Sequence, residues 1–101
     1  MSITAPEKIL KQPSEKRLYS MDFSNLMVDG EAISSIDSVT SEKRGGGTSD
    51  LILTDQSISG QTVLVWIAGG TACYTYRITI KITTTLGQEL EGDGLMKIED
   101  K

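Results

Sequence analysis

The stretch from Ala72 to Thr85, ACYTYRITIKITTT, alternates with a period of two over almost its whole length. Tyr74, Tyr76, Ile78, Ile80 and Ile82 fall on one side, and Thr75, Arg77, Thr79, Lys81 and Thr83 on the other. Successive side chains of a strand point to opposite faces. This pattern therefore predicts a long antiparallel strand with one face in a core and the other in water. A helix would spread the isoleucines around its circumference. Composition agrees: eleven isoleucines and eleven threonines stand against two prolines and one phenylalanine. Such β-branched side chains pack well on a pleated surface.

The rest of the chain supplies shorter partners for that strand. Arg17 to Phe23 alternates well enough for a first strand, and Asp22 to Met27 reads as a turn that Asp22 or Ser24 can cap. Asp29-Gly30 is a turn pair. From Glu31 to Ser41 the apolar residues Ile33, Ile36 and Val39 recur every third position. The serines among them are weak helix formers, so a bulged strand is expected. Ser41 to Ser49 is expected to be a mobile loop, Asp50 to Thr54 a short strand with Leu51 and Leu53 on one face, and Ser59-Gly60-Gln61 a hairpin turn. Thr62 to Ala68 is a strand closed by Gly69-Gly70, and Leu86-Gly87-Gln88 turns into a last strand with Leu90, Met96 and Ile98 inward.

About seven short strands with a turn signal roughly every ten residues predict an all-β, immunoglobulin-like antiparallel sandwich over residues 17–101. Residues 1–16 have no periodicity and contain Pro6 and Pro13, which makes them an extended N-terminal arm: either a loose terminus or a segment that orders on a partner. The structural residues are expected to be Tyr76, Ile78, Ile80 and Ile82 in the core, with Gly69 and Gly70 at the turn. A glycine turn before a tyrosine-bearing strand suggests a tyrosine corner, with Tyr76 the first candidate and Tyr74 the second.

Catalytic chemistry is poorly provided for. The chain has no histidine, which removes the commonest general base and metal ligand. Its single cysteine, Cys73, can form neither an internal disulfide nor a structural zinc site. Gly45-Gly46-Gly47 is not followed by the lysine of a phosphate loop, and Glu91-Gly92-Asp93-Gly94 lacks the ligand spacing of a calcium loop. No enzyme activity, metal, cofactor or small-molecule substrate is expected. A net charge of −4 and a pI near 4.7 disfavour nucleic acid. No apolar run reaches membrane-spanning length, and Met1 to Leu10 lacks the shape of a signal peptide. Synthesis in a reducing cytoplasm is the expectation.

What remains is protein binding. The strand TVLVWIA is apolar on both sides, with Val63, Val65 and Ile67 on one and Leu64 with Trp66 on the other. A chain this small cannot cover both faces. We expect the valine side to enter the core and Leu64 with Trp66 to form an outer patch, tryptophan being favoured at binding hot spots. The alternative makes Trp66 the core tryptophan of the sandwich. Further candidate partner-binding residues are Pro13 and Arg17 in and beside the slightly basic arm, and Lys43 and Arg44 at the glycine-rich loop.

Two segments carry a family resemblance. Tyr19-Ser20-Met21-Asp22-Phe23-Ser24-Asn25-Leu26-Met27 precedes Asp29-Gly30-Glu31-Ala32-Ile33. Val63-Leu64-Val65-Trp66-Ile67-Ala68-Gly69-Gly70-Thr71-Ala72 runs on through Tyr76, Ile78 and Ile82 to Thr83, Thr84 and Gly87. In order and spacing, over roughly residues 13–90, they resemble the small fibre–tail adaptor proteins of tailed bacteriophages. The resemblance implies a virion structural protein, an Ig-like module present in many copies that joins a tail fibre to the tail, neck or portal-proximal proteins. Thr40 to Gly60 departs from the family pattern: the usual proline-glycine turn appears as Lys43-Arg44-Gly45-Gly46-Gly47, and Cys73 stands where a small residue is common. A different class of reading is an Ig-like capsid or tail decoration module that binds a host surface or carbohydrate. Aromatic residues placed on strands rather than loops favour the adaptor.

Overall fold

The computed structural model describes residues 2–4, 9–12, 14–45 and 48–98. The strands are β1 (Ser2–Thr4), β2 (Ile9–Lys11), β3 (Arg17–Asp22), β4 (Ile33–Lys43), β5 (Leu51–Ser59), β6 (Thr62–Gly69), β7 (Thr75–Thr84) and β8 (Glu89–Ile98), with one 3-10 turn at Ser24–Leu26. One antiparallel sheet has the order β3-β6-β5, and the other β8-β7-β4. β1 and β2 follow one another along the free edge of β8, both parallel to it. They share one lane, which gives the seven lanes and the strand order of an immunoglobulin-like sandwich.

The core lies between the two sheets. β7 contributes Tyr76, Ile78, Ile80 and Ile82, all fully buried, and β6 contributes Val63, Val65 and Ile67 from the opposite side. Tyr19 and Met21 of β3 and Leu90, Met96 and Ile98 of β8 complete it, with Phe23 beyond β3. On β8 the inward positions between Leu90 and Met96 are glycines. Gly92 stands opposite Ile80 and Gly94 opposite Ile78 in the register, so the isoleucines have neighbours without side chains there.

The threefold spacing in the second predicted strand has a physical cause. β4 breaks register against β7 between Ile33 and Ser35 and again between Ile36 and Ser38. Each bulge adds a residue and resets which face the next side chain meets. β5 is longer than the sequence suggested, because a bulge between Thr54 and Ser57 interrupts its alternation. Asp55 sits there with φ +55, a conformation that aspartate tolerates better than most residues.

β7 is shorter than expected at its start. Cys73 adopts φ +73 in the turn before it, and the break takes Tyr74 off the inner face. Tyr74 is exposed, with the Lys43 ammonium 4.0 Å above its ring. Tyr76 alone makes the corner. Its hydroxyl accepts the Thr71 N–H at 2.9 Å, five residues upstream. Gly69 and Gly70 are required in this turn by conformation and by space. They have φ +77 and +98, and an added Cβ would lie 2.8 Å from the Asp50 carbonyl oxygen or 2.8 Å from Ile98 Cγ1, respectively.

In the N-terminal stretch, β1 and β2 pair with the row of backbone groups that β8 offers at its edge. Lys11 of β2 has an internal role. It is buried, and Nζ donates to the carbonyls of Gln12 at 2.7 Å and Gly69 at 2.6 Å. β2 belongs to one sheet and Gly69 to the other, so this lysine ties the layers at one end of the sandwich. Burial pulls its pKa down, while the nearby Glu15 charge pushes it up.

Candidate protein-binding face

The outer face of the β3-β6-β5 sheet follows from the register. With Val63, Val65 and Ile67 buried, β6 turns Leu64, Trp66 and Ala68 outward. Leu18 of β3 stands directly opposite Trp66, and Ile52 of β5 opposite Ala68. Leu18, Ile52 and Trp66 are 47%, 56% and 37% exposed, although all belong to the interior stretches of strands, where polar residues are the norm on a wet face. Ser20, Thr54 and Thr62 supply uncharged polar positions between and beside them. Charge reaches this face only at its margins. Lys16 lies 5.7 Å from the Trp66 ring centroid and 3.7 Å from Asp55, and Asp22 ends β3.

The opposite outer face has another character. β7 and β8 present Arg77, Lys81, Glu91 and Asp93 there, with threonines between them. Thr79 donates to Asp93 at 2.7 Å and Thr83 to Asp37 at 2.7 Å, while Lys81 and Glu91 pair at 3.7 Å. These contacts satisfy much of the polarity of this surface within the surface itself, which suits it to water. The two sheets thus offer one wet face and one apolar face. Exposed contiguous apolar surface on a small domain marks an interaction site.

Of the residues singled out in the sequence, only Leu64 and Trp66 share this face. Arg17 begins β3 one position before Leu18, on the opposite parity, and pairs with Glu15 at 3.9 Å. Lys43 ends β4 in the other sheet, and Arg44 follows it in a turn. Pro13 lies outside the described residues. Leu18 and Ile52 were not anticipated. The signal for Ile52 was present in the run Leu51-Ile52-Leu53, which is apolar on both faces in the same way as β6.

The rigid frame behind the face is set by hydrogen bonds at the two ends of the sandwich. At one end the Asp50 carboxylate accepts the Tyr76 hydroxyl at 2.5 Å and the Thr71 hydroxyl at 2.6 Å. These bonds, Thr71 first, hold its carboxyl below the usual range. At the other end buried Glu31 accepts the Val28 N–H at 3.1 Å and the Gln88 amide at 2.9 Å. The Thr84 hydroxyl has the largest influence in holding its carboxyl low, against the opposing effect of burial. Burial, then the Asp93 charge, pushes the Tyr19 phenol up to about 12, and its hydroxyl has no hydrogen-bond partner among the described residues. Among the described residues no group of three or more histidine, cysteine or carboxylate side chains is placed to hold a metal ion.

Comparison with protein families gives a match over residues 11–96 to the family described as podophage GP4 fiber-tail adaptor protein gp77. No curated protein matches the chain.

Proposed function

Because the chain belongs to the podophage fibre-tail adaptor family, we propose that it attaches a tail fibre to the tail or neck of the particle through protein–protein contacts, with the outer face of β3-β6-β5 as one of its contact surfaces. The observation that carries this is the asymmetry of the two faces. On the β8-β7-β4 face Lys81 pairs with Glu91, and Thr79 and Thr83 bond to Asp93 and Asp37. On the other face Leu18, Ile52 and Trp66 are left exposed and Leu64 half-buried, with charge beside them at Lys16, Asp22 and Asp55. Burying a tryptophan and three aliphatic side chains against a partner is the kind of contact that dominates binding energy, provided water is excluded around it.

In this reading the domain acts by shape and adhesion, is present in several copies per virion, and moves no atoms. The small core, the corner bonds and the layer-tying lysine keep the face flat and pre-organised, which lowers the entropic cost of docking. The test is to purify intact particles, crosslink them lightly and identify the neighbours of this chain by mass spectrometry. Links from this chain to both a fibre and a tail or neck protein are expected. A chain absent from the particle would overturn both readings, and one linked to capsid alone and retained on a glycan column would replace the adaptor by a decoration module.

A further inference from the structure

We propose that β1 and β2 are exchanged between copies, so that the arm of one chain lies along β8 of the next. This goes beyond the role of the Trp66 face and does not depend on it. The strand pairings of β1 and β2 are all with β8: Ser2 to Thr4 run beside Glu91 to Asp93, and Ile9 to Lys11 beside Met96 to Ile98. Among the described residues the arm also reaches the other sheet through the buried Lys11, whose ammonium caps the Gly69 carbonyl. A second copy offers the same edge and the same carbonyl, so the native contacts are equally available between chains.

The connection to β3 is suited to either path. It is a single turn after β2, in which Gln12 N–H donates to Glu15 Oε1 at 2.8 Å and Glu15 N–H to the Gln12 carbonyl at 3.1 Å. Those are the bonds that opening would break, and water replaces them at little cost because the turn is at the surface. Residues 12–16 drawn straight span roughly 17 Å, which sets the reach of an exchanged arm. Parallel pairing by two three-residue strands holds weakly alone, and chains gathered side by side favour exchange by mass action. The partner is thus a second copy of this chain. The site is the free edge of β8 with the Gly69 carbonyl at its end.

Cysteine pairs test this. All chains carry Cys73→Gly, which suits the positive φ at that position. One adds Leu10→Cys and another Lys97→Cys, the two residues that are partners in the β2–β8 register. Co-expressed and oxidised, they should give a covalent dimer of unlike chains that increases with protein concentration and disappears when either cysteine is omitted. A chain with both substitutions reports whether the seat is filled at all, and a Ser2→Cys and Glu91→Cys pair repeats the measurement at β1. A bond that forms only within the doubly substituted chain, with no mixed dimer at any concentration, overturns exchange. So does the absence of any bond in that chain while circular dichroism shows it folded, because the arm would then not lie on β8.

Discussion

The Tyr76 phenol joins two turns of the chain to its core strand: it donates to Asp50 Oδ1 at 2.5 Å while accepting the Thr71 N–H at 2.9 Å. The ring is fully buried on β7 and the hydroxyl reaches the end of the sandwich. Tyr76→Phe keeps the ring and removes both bonds, leaving the Thr71 amide without this partner. A cost of about 1–3 kcal/mol is expected, read as a lower urea midpoint at unchanged slope.

Tyr19 makes the opposite case from the same chemistry. Its hydroxyl is buried without a hydrogen-bond partner among the described residues, so Tyr19→Phe removes a desolvated polar group and should leave stability unchanged or raised. The pH dependence follows. The neutral phenol is favoured in the folded state, so its contribution is fully present below the ordinary value near 10 and is lost as pH rises toward about 12. Alkaline unfolding should therefore shift to higher pH in Tyr19→Phe. A drop in thermal midpoint at pH 7 would show that the hydroxyl has a partner after all.

On the acid side Asp50 and Glu31 have carboxyls held low by hydrogen bonds, those of Thr71 and Thr84 foremost. Their contribution is present above the ordinary carboxyl range near pH 4 and is lost as pH falls through the lowered folded values. The thermal midpoint should be level from pH 7 to about 5 and fall below about 4. Glu31→Gln should flatten part of that fall.

Ile80→Ala, in the middle of the fully buried row on β7, should cost about 2–5 kcal/mol. Gly70→Ala should be harmful for a different reason, since it meets Ile98 and Leu51 within 3.0 Å at φ +98. Chemical denaturation of both variants measures this, and wild-type stability in either contradicts the packing described.

The legible parts of the fold were those with an unbroken period. β7 stood out because alternation runs through it, and β6 because its run is apolar on both sides, which in a chain this small leaves one side for the surface. That the tryptophan side is the outer one rested on the preference of tryptophan for binding hot spots. Local backbone breaks hid the rest. Cys73 at positive φ ended the strand where the pattern still continued through Tyr74, and Asp55 at positive φ cut β5 in two to the eye. Lys11 was not anticipated, because a lysine in an aperiodic stretch is usually solvated. Its burial depends on a parallel pairing with residues more than eighty positions away, which no local pattern encodes. For the candidate face the same limit applied: Trp66 announced itself, whereas Leu18 joined it only through the β3–β6 register.

The central claim is that the outer face around Trp66 holds a partner. Its most direct test is incorporation of Trp66→Ala into particles in competition with the wild-type chain, alongside the thermal midpoint of each purified protein. The indole is partly exposed and outside the core, so the substitution should cost about 1 kcal/mol or less in stability, while the variant is strongly depleted from particles carrying fibres. Equal incorporation of a folded Trp66→Ala chain, with fibres attached in normal number, would contradict the account.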